Sequence, residues 1–133
     1  MIIKGRIINP GKAEGFALKS ISPISFYGGV DPETGTIIEN GHDLEGACFK
    51  DKILVFKCGK GSTIGSYILY RLKKEKLAPA GIILEECETI IAVGCIISDI
   101  PCLDLVDIKN ISTGDYIKIN AEQGEIEIVD HDE

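Results

Sequence analysis

The chain has 133 residues, of which 44% are apolar, and its 14 basic and 21 acidic side chains leave a formal charge of −7. That length predicts a single domain, residues 1–133, able to bury roughly two-thirds of its unfolded surface without staples. The acidic balance argues against nucleic acid as a partner, and no run approaches the roughly 20 apolar residues of a membrane helix.

The N-terminus, MIIKGRIINPGK, lacks the order of regions that marks a secretory leader, so a cytoplasmic protein is expected. Five cysteines (Cys48, Cys58, Cys87, Cys95 and Cys102) include no C-x-x-C, and only His42 and His131 are histidines. A closed zinc site needs paired spacings that are absent here. The cysteines are therefore expected to be reduced, mostly buried core thiols, with no metal held by this chain.

Ile2 to Ile8 reads as one strand closed by Asn9-Pro10-Gly11, and Gly15 to Leu18 as a second. Pro23 to Gly35 is dense in turn formers and reads as a loop carrying a short strand near Ile24–Phe26. Thr36 to Ile38 is another short strand. Lys52 to Phe56 is a continuous apolar run bounded by charges, as expected of a central strand buried on both faces.

Ile64, Ile68 and Leu72 recur at spacings of four, with Arg71, Lys73, Lys74 and Lys76 at the end. This pattern predicts an amphipathic helix from about Thr63 to Leu77, its cations placed where the macrodipole favours them and Pro79 ending it. Tyr67 and Tyr70 are expected to pack on it. Ala80 to Leu84 and Thr89 to Val93 read as two strands, or as a strand and a short helix. Tyr116–Asn120 and Ile126–Val129 alternate around Glu122-Gln123-Gly124 and predict a hairpin with one wet face. Asp130 to Glu133 reads as a solvated tail. The sum is a β-rich α/β fold of layered sheets with a helix packed on one side.

The segment Gly59-Lys60-Gly61-Ser62-Thr63 joins the buried strand to the helix. It does not fit the Walker pattern, because Gly61 directly precedes Ser62 and Lys60 lies on the wrong side. Its glycines permit positive φ and close backbone approach. Ser62 falls at the expected N-cap, where free N–H groups favour an anion and lower the cost of charge on Oγ. The competing reading is a tight turn with Ser62 as a plain cap. His42 is open to acid–base use, against a surface or capping role.

Lys60-Gly61-Ser62 followed by Thr63-Ile64-Gly65-Ser66-Tyr67-Ile68-Leu69-Tyr70 resembles a signature of the small subunit in the aconitase X family. Gly28-Gly29-Val30-Asp31-Pro32-Glu33-Thr34-Gly35 resembles that family's second signature. Gly41 to Gly46, Pro79 to Ile83 and Ile91 to Gly94 match in order, so the resemblance runs from Ile2 to about Val129. One departure is Cys58, where a serine is expected before the glycine turn.

The resemblance implies the swivelling β/β/α domain of aconitase-like enzymes. It implies half of a heterodimeric hydro-lyase whose large subunit holds a 4Fe-4S cluster through its own cysteines. The implied reaction dehydrates (R)-5-phosphomevalonate to trans-anhydromevalonate 5-phosphate in an archaeal mevalonate route. The family's catalytic serine, the proton acceptor, maps onto Ser62. Lys60, Gly61, Thr63 and Asp31 become candidates for holding the small anionic substrate. The Gly28–Gly35 loop is expected to close over substrate or dock to the large subunit, with a plain turn at Asp31-Pro32 as the competing reading. An exposed apolar patch is expected near this loop and the Gly59–Ser62 loop, where the large subunit sits. The competing functions are another aconitase X dehydration, such as that of a hydroxyproline, and a non-catalytic anion-binding scaffold.

Overall fold

The computed structural model of the chain describes residues 1–129. The expected tail, Asp130 to Glu133, lies outside the described residues. The strands are β1 (Ile2–Lys4), β2 (Arg6–Asn9), β3 (Lys12–Lys19), β4 (Val30–Asp31), β5 (Thr36–Ile37), β6 (Ile53–Phe56), β7 (Gly81–Leu84), β8 (Cys102–Asp104), β9 (Tyr116–Asn120) and β10 (Glu125–Val129). The helices are α1 (Phe26–Gly29), α2 (Gly65–Lys74) and α3 (Thr89–Ser98).

Eight strands form one sheet in the order β1-β10-β9-β3-β6-β7-β8-β2. From β3 through β6 and β7 to β8 the pairing is parallel, and elsewhere in the sheet it is antiparallel. Its two edges, β1 and β2, are separated in the chain by Gly5 alone. The sheet therefore curls until its edges meet at that residue. The single strand expected over Ile2–Ile8 is broken there, because Gly5 turns its N–H to the Gly124 carbonyl at 2.9 Å. A Cβ at Gly5 would lie 2.8 Å from Val106 Cγ2 and 2.9 Å from the Asp104 carbonyl, so the corner needs glycine.

The curl creates two cores, and the pleat of the central strands feeds both. Ile53 and Val55 of β6 point between the two halves of the sheet, among Ile83, Leu103, Ile117, Ile119 and Ile126. Leu54 and Phe56 point the other way, among Ile82, Leu84, Leu69, Leu72, Ile91 and Cys95 beneath the helices. Side chains alternate along a strand, so one covered on both faces must be apolar throughout. That is the reason for the unbroken run at Lys52–Phe56. The layers are thus sheet, sheet and helices, the β/β/α arrangement expected. The hairpin of β9 and β10 forms as expected, with Ile126 opposite Ile119.

Three local expectations are corrected, and a fourth, left open between strand and helix, is decided. The strand expected at Gly15–Leu18 extends over eight residues, because β9 and β6 pair along both its edges. No strand forms at Ile24–Phe26. Ile24 bridges Gly59 singly, and α1 follows as a turn with Tyr27 and Gly28 outside helical geometry. The helix expected over Thr63–Leu77 is shorter at both ends. The segment expected as a strand or short helix at Thr89–Val93 is a helix continuing to Ser98. Glu88 starts it, accepting the Ile90 and Ile91 N–H groups at 2.8 and 3.3 Å, and left-handed Asp99 ends it. Helices α2 and α3 approach closely at Gly94, where a Cβ would lie 2.6 Å from Leu69 Cδ1.

Candidate functional site

The loop after β6 is held between two neighbours. On one side, the Ile24 N–H donates to the Cys58 carbonyl at 3.0 Å and the Lys60 N–H donates to the Ile24 carbonyl at 3.1 Å. On the other side, the Cα of Gly59 rests on Glu88 and Ile91, where any Cβ would collide with Glu88 Oε1. Gly61 adopts φ +90°, and a Cβ there would lie 2.5 Å from Ser25 Oγ. Both glycines are thus required, one by close approach and one by backbone conformation.

Ser62 does not stand at the N-cap itself. Helix α2 begins at Gly65, Ile64 takes the cap position, and Ser62 opens the preceding turn. Its Oγ accepts the Ile64 N–H at 3.2 Å and its carbonyl accepts the Gly65 N–H at 2.9 Å. The helix starts later than the periodicity implies because this turn winds more tightly than an α-helix. Among the described residues, the Ser62 hydroxyl hydrogen finds no acceptor, and the N–H groups of Gly61, Ser62 and Thr63 find none either. Half-buried Ser62 thus sits among unpaired donors at the positive end of α2.

Lys60 reaches Glu39, its Nζ 2.9 Å from Oε2. The Glu39 and Ile38 N–H groups donate to the Gly29 carbonyl at 3.3 and 2.9 Å. Glu39 therefore ties the Gly28-Gly29 end of one glycine-rich segment to the Ser62 loop. The other end turns away. Asp31 Oδ1 accepts the Glu33 N–H at 2.9 Å, and Gly35 packs on the Leu77 carbonyl beyond the C-terminal end of α2. No hydrogen bond or ion pair links Asp31 to the Ser62 loop among the described residues. The structure thus gathers Lys60, Gly61, Ser62 and Thr63, and gives Asp31 a turn-forming role.

His42 is buried, contrary to a surface role. Its Nδ1 accepts the Leu44 N–H at 3.0 Å, which leaves Nε2–H to donate to the Pro23 carbonyl at 3.0 Å. With Asp43 Oδ1 also 3.1 Å from Nδ1, the ring pins its turn to the start of the Ile24 segment. The cysteines depart from the expectation of mostly buried thiols: Cys95 and Cys102 are buried, Cys58 and Cys87 are half-buried, and Cys48 is exposed. Burial and nearby Glu88 push the Cys58 thiol up, which disfavours a thiolate beside Ser62. The neighbouring Cys102 thiol and burial push Cys87 well up too. Among the described residues no three His, Cys, Asp or Glu side chains converge as metal ligands would.

Tyr67 and Tyr70 do not pack into the core. They are 70% and 40% exposed. Tyr67 joins Thr63, Ile64, Ile90, Val93 and Ile97 around an apolar groove of about 300 Å³ between α2 and α3, directly beside Ser62. A larger hollow of about 470 Å³ lies on the opposite sheet among Lys12, Glu14, Lys118 and Glu127, remote from this chemistry. Glu39, Glu88 and Ser25 shape the site, yet no motif announces them. Only the apolar run after Glu88 hinted at a capped helix.

The aconitase X swivel domain model matches residues 2–128. A phosphomevalonate dehydratase small subunit of Thermococcus kodakarensis is 51% identical over 133 residues, covering 100% of both chains. Its counterpart in Methanosarcina acetivorans is 48% identical, over 96% of this chain and 90% of that one. A crystal structure of Thermococcus kodakaraensis aconitase X in its holo-form superposes with a TM-score of 0.96, at 51% identity, over 98% of this chain and 99% of that one. Among the described residues no helix is long and apolar enough to cross a membrane. The chain belongs to the aconitase X family, as its swivel domain.

Proposed function

We propose that this chain is the small subunit of a cytoplasmic phosphomevalonate dehydratase, and that Ser62 is its base. The observation that carries this reading is the Ser62 hydroxyl, which has a free hydrogen and lies among unpaired N–H groups at the start of α2. The relatives at about half identity bear that enzyme's name.

The reaction removes a proton from C2 of (R)-5-phosphomevalonate and hydroxide from C3. The electron pair of the C2–H bond becomes the C2=C3 double bond of trans-anhydromevalonate 5-phosphate. A serine is a weak base at its ordinary pKa. It needs surroundings that stabilise an alkoxide, and preorganised N–H donors with a helix N-terminus supply them. With its own proton first released to solvent, Ser62 Oγ takes the C2 proton as an alkoxide and returns to the hydroxyl form. Lys60 and the N–H groups of Gly61 and Thr63 hold the substrate's carboxylate or phosphate. A net charge of −7 gives the chain no global attraction for such an anion, so this local positive feature must do it.

The described residues do not fit a 4Fe-4S cluster, since no ligand set converges among them. We assign the cluster to the large subunit, where it would supply a Lewis acid for the departing hydroxyl. This division of labour makes the enzyme a heterodimer with its site between the chains.

Anaerobic coexpression with the large subunit, followed by assay with phosphomevalonate, tests the reading. Ser62→Ala is expected to lower kcat by about a thousandfold, the range for a nucleophile-like base. Near-normal turnover by Ser62→Ala would remove Ser62 from its role. Turnover of a hydroxyproline in place of phosphomevalonate would overturn the substrate.

A further inference from the structure

Helix α3, Thr89-Ile90-Ile91-Ala92-Val93-Gly94-Cys95-Ile96-Ile97-Ser98, contains no charged residue, although 26% of the whole chain is charged. Helices apolar on every side are buried on every side. Yet α3 is covered on one face only, through Ile91, Gly94, Cys95 and Ser98. Val93, Ile96 and Ile97 on its other face are 41%, 56% and 43% exposed. Across the groove, Ile64 and Tyr67 of the α2 region are 46% and 70% exposed. These side chains make one continuous apolar surface, of the kind that marks an interaction site.

We infer that this α2–α3 face seats an apolar segment of the large subunit, with a bulky side chain entering the groove between Tyr67 and Val93. The inference rests on the proposed function for the identity of the partner. Its argument is continuity. Thr63 and Ile64 line the groove and directly follow Ser62. Presenting Ser62 to substrate held by a partner brings that rim against the same partner. A second copy on this face would instead cover Ser62. Asp130 to Glu133, beyond the described residues, are too polar to supply an apolar cover.

The test uses the V93E/I97E double variant with the intact large subunit. Circular dichroism and Tm of the variant chain should match the parent, since both positions are partly exposed. Isothermal titration should show association weakened by about 100-fold or more, as when a charge is buried at the centre of an interface. Should V93E/I97E unfold, Tyr67→Asp, at a groove residue 70% exposed, carries the same test. Ser62→Ala is the separating control, expected to lose turnover while keeping association. If Ser62→Ala keeps its turnover while V93E/I97E loses association, the Ser62 assignment fails and the docking face stands. Association within twofold of the parent would overturn the docking face. So would a dimer of this chain that V93E/I97E breaks while large-subunit binding persists.

Discussion

The Glu88 carboxylate lies against the Cα of Gly59, so the start of α3 is wedged beneath the loop that carries Ser62. One carboxylate therefore caps a helix through the Ile90 and Ile91 N–H groups and also floors the candidate site. The opposite side of the loop is closed by the bridge to Ile24. These two supports hold the backbone at Gly59 from both sides. A base that depends on aimed N–H donors needs this rigidity.

Gly59→Ala tests the wedge. The new Cβ would meet Glu88 Oε1 and also lie 2.5 Å from Ile91 Cγ1, so the loop must shift outward. Overpacking of this kind costs about 1–3 kcal/mol. A displacement near 1 Å at a catalytic group costs about a hundredfold in rate. Gly59→Ala should therefore lower the Tm modestly and kcat severely. An unchanged kcat would show that the loop is not held by this contact.

The β2–β8 edge carries a second prediction. The Asp104 side chain is fully buried, paired to Arg6 through two hydrogen bonds of 2.8 Å, and it accepts the Cys87 N–H at 2.8 Å. Arg6→Ala leaves that carboxylate buried with one backbone donor. Leaving a buried carboxylate without its cation is destabilising, and the half-exposed arginine makes the loss smaller than for a fully buried pair. Urea unfolding of Arg6→Ala should show the loss, and the Arg6→Ala/Asp104→Leu double variant should recover part of it.

Much of this arrangement was legible in the residues. The hairpin of β9 and β10 declares itself because one face is wet and the alternation survives. The strand–glycine turn–helix around Ser62 declares itself because the apolar period changes from continuous to four. Helix α3 hid for the reason that makes it interesting: apolar on all sides, it has no stripe for a period to reveal. The break at Gly5 was hidden because closure of the sheet, through Gly124 and Val106, is decided far away in sequence. Glu39 and Glu88 reach the Ser62 loop across twenty or more residues, and an isolated glutamate carries no sign of such a contact.

Alkaline pH should expose the Glu14–Tyr116 contact. The Tyr116 hydroxyl donates to Glu14 Oε2 at 2.7 Å, and this hydrogen bond raises the phenol above its ordinary pKa. A raised folded pKa favours the protonated form in the native state. Its contribution is complete below the unfolded value, about 10 for tyrosine, and is lost as pH rises through the folded value. Tm should therefore fall less steeply above about pH 10 in Tyr116→Phe than in the parent. Equal alkaline slopes for the two proteins would contradict the linkage.

Lys60 and Glu39 separate substrate anchoring from loop structure. Their 2.9 Å ion pair is partly exposed, so breaking it should change stability by no more than about 1 kcal/mol. A cation hydrogen-bonded to a substrate anion contributes more, about 1.5–3 kcal/mol. Lys60→Met should therefore raise KM by about tenfold or more, with a small change in kcat and almost none in Tm. Glu39→Gln should raise KM less, because Lys60 keeps its charge and loses only its tether to the Gly29 segment. If Glu39 acts through Lys60, the Lys60→Met/Glu39→Gln variant should be no worse than Lys60→Met alone. Additive losses in the steady-state constants would show that Glu39 touches the substrate path independently, and an unmoved KM in Lys60→Met would place Lys60 among the solvated loop lysines.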